Sequence, residues 1–209
     1  MRLVRVAGRV GVFTALFWCA MAGLAQDAKN GWDFPDFSAT QIFAGPQHIA
    51  MKVYRRGTMV RVERSKAVST LHDPANGKVY SLTSYPDGSH QCVVMRTDQA
   101  GMIPSPLDLL NGTQVKRTPD GTEDVEGRSC KIEKVVTTRG DGTVESRVWE
   151  AEDLKGVPVK IESQVGEHKF GAVYRDVVLG EPDKALFTIP EKCTPLEKMG
   201  EVVEDTTNQ

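Results

Sequence analysis

The stretch Thr143–Ser163, TVESRVWEAEDLKGVPVKIES, decides the reading of the fold. Val144 and Val148 share one face of a first strand, while Val157, Val159 and Ile161 alternate with Pro158, Lys160 and Glu162 in a second. Between them, Glu152-Asp153-Leu154-Lys155-Gly156 supplies turn chemistry. A period of two marks strands with one face in a core and one in water. The stretch therefore predicts a β-hairpin and points to an antiparallel β-protein. Trp149 is out of phase with Val144 and Val148, so it faces away from their side.

Working outward to the N-terminus, Met1–Ala25 carries Arg2, Arg5 and Arg9, then the apolar run Val10–Leu24, then small residues. Gly23 and Ala25 suit the −3 and −1 positions of a cut before Gln26. This is the layout of a cleaved secretory signal, with an apolar run too short for a comfortable membrane span. Phe17-Trp18 before Cys19 does not fit a lipid-attachment signal, and the arginines are not twinned. The expected product is periplasmic or secreted, with no stable membrane anchor. Its basic residues fall from 26 to 23 against 28 acidic, taking the net charge from −2 to −5. That balance argues against a nucleic-acid partner, which needs clustered positive charge. The chain divides into a signal (1–25), a leader (26–35), a single domain (36–192) and a polar, acidic tail (193–209), and is expected to be a monomer.

The same alternation recurs along the domain. Strands are predicted at Phe37–Ala44, His48–Arg55, Thr58–Glu63, Ala67–His72, Lys78–Tyr85 and Ser89–Arg96, punctuated by Gly45-Pro46, Arg56-Gly57, Asn76-Gly77 and Pro86-Asp87-Gly88. Such turns favour tight hairpins. The rhythm breaks at Ser105-Pro106-Leu107-Asp108-Leu109-Leu110, where a serine cap, a proline at the first helical position and Gly112 at the far end predict a short helix. That helix would be a plug or lid on the sheet. Val115–Thr122, with Pro119 and Gly121, reads as a surface connection. Strands resume at Ser129–Thr138, Thr143–Ala151, Val157–Ser163, His168–Leu179 and Leu186–Ile189, with Pro158 near a strand start or on an edge. About eleven strands and one short helix make a β-dominated α+β domain.

After signal removal Cys92, Cys130 and Cys193 remain. In an exported protein one disulfide plus one free thiol is expected, and 92–130, 92–193 and 130–193 are all open. His90 and Cys92 share a strand face but lack further ligands at metal-binding spacing, so no metal site is predicted. His48, His72, His90 and His168 are scattered. GxSxG, GxxxxGK[ST], HExxH and GxGxxG are all missing. Glu123-Asp124 and Glu150-Glu152-Asp153 fall in or beside predicted turns, where solvation accounts for them. No cofactor and no catalytic residue is predicted.

The segments DFSATQIF (36–43), HIAMKVYRRGTMVRVE (48–63), DPANGKVYSL (73–82), TEDVEGRSCKIEKVV (122–136), VESRVWEAEDLKGVPVKIES (144–163) and FTIPEKC (187–193) carry a resemblance. In this order the chain resembles the half-barrel family of bacterial periplasmic lipoprotein carriers, and more closely the uncharacterised exported domains of the same lipoprotein-sorting-like fold. The shared parts are Tyr54 with Arg61 after a turn, Gly127-x-x-Cys130, Trp149 ahead of Gly156-Val157-Pro158, and Phe187 with Pro190. The resemblance implies a curved, unclosed antiparallel half-barrel around an apolar interior, covered by helical lid segments. It places Val53, Val60, Val62, Val148, Val159, Ile161 and Phe170 inward, with Leu107, Leu109 and Leu110 above them. In the carriers such an interior receives acyl chains. The carriers' long first helix has no counterpart here, since Gly31-Trp32-Asp33-Phe34-Pro35 leads directly to Phe37. Two functions are therefore expected in order: non-catalytic binding of a lipid or acyl chain in the cell envelope, or a protein-interaction or envelope-sensing module with a filled core whose partner is a cell-envelope protein.

Overall fold

The computed structural model describes residues 34–43, 49–97, 105–110, 112, 114–139 and 142–199. The predicted signal, most of the leader and the residues after Met199 lie outside them. Twelve strands form one sheet: β1 (Phe37–Phe43), β2 (Ala50–Arg56), β3 (Met59–Glu63), β4 (Val68–Asp73), β5 (Lys78–Ser84), β6 (His90–Arg96), β7 (Gln114–Val125), β8 (Arg128–Arg139), β9 (Gly142–Ala151), β10 (Pro158–Val165), β11 (His168–Leu179) and β12 (Thr194–Pro195). Their order is β12-β6-β5-β4-β3-β2-β1-β11-β10-β9-β8-β7. Two meanders, β1–β6 and β7–β11, are thus joined side by side through the antiparallel β1–β11 pair. The two ends of the order, β12 and β7, do not meet. The sheet is an unclosed half-barrel.

The quoted hairpin forms as the alternation predicts. Ile161 sits opposite Val148 and Ser163 opposite Ser146, whose hydroxyls lie 2.7 Å apart in the interior. Lys155 takes a left-handed conformation (φ 53°) to close the turn, and the register shifts between Pro158 and Lys160, just after a proline that pairs with Glu150 but has no N–H to donate. Trp149 pairs with Ile132 and Lys160 on the opposite side from Val148. Its ring is buried under Lys160 Nζ at 4.1 Å and the Arg147 guanidinium at 5.0 Å, and its Nε1–H donates to Glu123 at 2.7 Å.

Three local expectations are corrected. Val115–Thr122 is not a surface connection but the middle of β7, a twelve-residue edge strand. An edge strand tolerates Pro119 on its unpaired side, and Gly121 (φ 111°) makes the register shift just after it. Leu186–Ile189 is not a strand: Lys184–Phe187 forms a 3-10 turn capped by the Asp183 carboxylate, which accepts from Ala185 N. The helix predicted from Ser105 shrinks to one 3-10 turn, Asp108–Leu110, and the Ser105 hydroxyl caps nothing among the described residues.

The C-terminal segment packs on the outer face. Phe187 joins Leu71, Tyr80 and Cys92 in a second apolar cluster. Arg56 and Arg61 donate to the carbonyls of Pro182 (2.7 Å) and Leu186 (3.0 Å). Of the three pairings left open, Cys92–Cys193 is the disulfide, and Cys130 is a buried free thiol. Cys193, with Thr194 and Pro195 paired parallel to β6, is therefore held against the sheet, although the sequence reading placed it at the head of the tail.

Candidate functional site

The inner face carries the main core. Val53, Val60, Val62, Val148, Val159 and Ile161 are between 0 and 4% exposed, and all belong to one cluster with Phe37, Ala172 and Tyr174. Phe170 differs. It lies on the same face, opposite Ser163, but near the strand's end, half-buried with its ring 6.4 Å from His168 and outside that cluster.

The segment Ser105–Leu110 fills this interior. Leu107 and Leu110 are fully buried in the core cluster, and Leu109 is buried beside it. Its 3-10 turn packs against β8 and β9, while Asp108 Oδ2 meets His72 Nδ1 of β4 at 2.7 Å. In the strand order β4 and β8 stand seven places apart, which at the ordinary spacing would be about 34 Å on a flat sheet. A turn of three residues cannot bridge that distance. The sheet must therefore curl around the plug, which touches both flanks at once. At the plug's far end, a β-carbon on Gly112 would stand 2.3 Å from Thr138 O and 2.4 Å from Thr137 Cγ2, so only glycine passes there.

The plug's foot is polar. Burial disfavours the charged His72 imidazole, yet the Asp108 charge and hydrogen bond outweigh burial and the opposing Arg64 charge, so the His72 pKa is raised. Burial, then the Asp108 charge, hold the Tyr174 phenol well above its ordinary range despite Ser105 nearby, keeping it a neutral hydroxyl. That hydroxyl makes no hydrogen bond of ordinary geometry among the described residues, and neither does Ser105 Oγ. Gln41, the cross-strand partner of Tyr174, is fully buried with both amide atoms likewise unpaired. None of His72, Asp108, Gln41 and Tyr174 was singled out as a site residue from sequence. The available signal was parity: Gln41 follows Phe37 and Ala39 on one face, and Tyr174 follows Ala172.

Toward the other flank, Arg117 Nη1 binds Glu133 and Glu150, each at 2.6 Å. Glu150 is thus not simply a solvated turn residue. Burial raises its pKa, and Arg117 opposes that shift by hydrogen bond and charge. Among the described residues no group of three or more His, Cys, Asp and Glu side chains is arranged to hold a metal ion. Burial raises the Cys130 thiol pKa, the opposite of what a reactive thiolate requires.

No protein-family model and no curated protein sequence matches the chain. Among solved structures, that of PNGF-II aligns over 83% of this chain at 12% identity and TM-score 0.42, and the chain spans only 33% of it. MucB aligns over 77% at 16% identity and TM-score 0.39, with 59% of MucB covered. An outer membrane lipoprotein-sorting protein domain from Vibrio parahaemolyticus aligns over 74% at 10% identity and TM-score 0.26, with 89% of that chain covered. These likenesses concern the backbone path alone.

Proposed function

We propose that this chain is a non-catalytic envelope protein that binds an acyl chain on the inner face of its half-barrel, exchanging the Ser105–Leu110 plug for the ligand. The observation that carries the reading is the plug itself. One short segment supplies Leu107 and Leu110 to an apolar interior reaching from β3 to β9, buries Leu109 as well, and meets β4 through a single turn's carboxylate. A guest that replaces three leucines with methylenes recovers most of the buried apolar area, so the exchange costs little net free energy. Export is supported by the basic-apolar-small order of Met1–Ala25 and by the Cys92–Cys193 disulfide, which suits an oxidising compartment.

The test reads the plug's own backbone, in which Asp108 N and Leu110 N donate to Ser105 O and Leu107 O. Delipidated wild type should take up a fluorescent acyl probe saturably. Amide hydrogen exchange of Asp108 and Leu110 should speed up at saturation while Ile161 in β10 stays protected. Uptake that leaves those two amides as protected as before would end this reading.

A second reading, a protein-interaction module, rests on β7, a twelve-residue edge strand that is mostly exposed. An unpaired edge can add a partner's strand, although the Pro119–Gly121 irregularity interrupts its ladder. Capture of an envelope protein by wild type, with no probe uptake, would favour it.

A further inference from the structure

The polar groups at the foot of the plug say what kind of acyl ligand the interior would take. Folded proteins leave few buried polar atoms without a partner. Here the Gln41 amide is buried with neither atom paired among the described residues, and the buried Tyr174 hydroxyl has the plug's own Ser105 hydroxyl as a neighbour, on the same side of the sheet as His72. The Asp108 carboxylate sits among them, 2.7 Å from His72 Nδ1 and close enough to Tyr174 for its charge to act on the phenol. Arg64 is the other charged group acting on His72. If the plug leaves, Asp108 leaves with it. What remains on the sheet is an imidazole, a phenol and a carboxamide N–H₂, three donors with no anion between them. A neutral head brings no charge to offset the burial of a protonated His72, and a cationic head would add a second positive charge beside Arg64. A carboxylate head restores the arrangement that Asp108 makes in the closed form.

We propose, building on the plug-exchange reading, that the ligand is a long-chain carboxylate whose tail occupies the place of Leu107, Leu109 and Leu110 and whose head occupies the place of the Asp108 carboxylate, against His72, Tyr174 and Gln41. The plug is then an internal mimic of the ligand: three apolar side chains around one carboxylate on a single turn.

The experiment titrates delipidated protein with dodecanoate, 1-dodecanol and dodecyltrimethylammonium by calorimetry. Wild type should prefer dodecanoate over dodecanol by about tenfold or more, the size of a charge-assisted hydrogen bond, and bind the cation weakest. His72→Gln should bring dodecanoate and dodecanol within about twofold of one another while dodecanol binding persists. Asp108→Asn, which weakens only the closed form, should tighten dodecanoate and dodecanol by the same factor. If His72→Gln does not fold, Tyr174→Phe serves in its place, reducing the same preference. Equal binding of dodecanoate and dodecanol by wild type would overturn the head-group assignment and leave acyl binding intact. An unchanged preference in His72→Gln would also overturn it, since the head would then be read elsewhere or by water alone. Binding of none of the three would remove the acyl-binding reading and this one together.

Discussion

Leu110→Ala separates a displaceable plug from a permanent core. Leu110 is fully exposed to neither solvent nor ligand in the closed form: it is 0% exposed, in the main core cluster, on the turn that meets β8 and β9. Truncating such a residue costs about 2–5 kcal/mol through lost transfer free energy and the cavity left behind. In an open form the same side chain stands in water, where the change costs almost nothing. The closed form therefore bears nearly the whole loss, and the open fraction rises by the same factor. At about 1.4 kcal/mol per tenfold, that is roughly thirtyfold to a few thousandfold, and apparent acyl-probe affinity should tighten accordingly until the open form predominates. The control is Leu71→Ala, equally buried but in the outer-face cluster with Phe187. It should lower stability by a similar amount and leave probe affinity alone. The assay is probe titration beside denaturant unfolding of both variants. Leu110→Ala that loses stability with no tightening, or Leu71→Ala that tightens equally, would refute plug exchange.

Three further outcomes are expected. Gly112→Ala sets a methyl group 2.3 Å from Thr138 O, so it should unseat the plug at a cost of about 1–3 kcal/mol and tighten probe binding in the same sense as Leu110→Ala; unchanged stability in unfolding curves would contradict the contact. Cys193→Ser opens a disulfide spanning 101 residues and should cost up to about 4–5 kcal/mol on loop-entropy grounds, yet leave probe uptake unaltered well below its melting temperature because the strap lies on the outer face. The His72–Asp108 pair gives stability a definite pH sign. Since the folded His72 pKa is raised, its contribution is fully present below the unfolded value of about 6.5 and is lost as pH rises through the folded value. Thermal melts of wild type should therefore lose stability relative to Asp108→Asn above about pH 6.5, and a relative gain there would be the wrong sign.

The hairpin at Thr143–Ser163 was legible in the sequence because a half-buried strand writes its two faces into adjacent residues. The same period placed ten of the twelve strands and put Trp149 on the other side from Val148, while the inward setting of Val53, Val60, Val148 and Ile161 was what the half-barrel resemblance implied. It failed at β7, where Pro119 and Gly121 are ordinary loop residues until an unpaired edge makes them harmless. It also failed at Lys184–Phe187, whose apolar residues face the sheet from a 3-10 turn rather than lying in a strand. Local pattern carries no information about which distant segments meet. The β1–β11 junction, the choice of Cys92–Cys193, and the meeting of His72 with Asp108 across the curled sheet all join residues far apart in the chain. The sequence determined the strands and their faces, since each is fixed by neighbours one or two residues away. Only the tertiary structure decided that the interior is closed by a leucine plug carrying its own carboxylate, because curvature and long-range pairing bring those groups together.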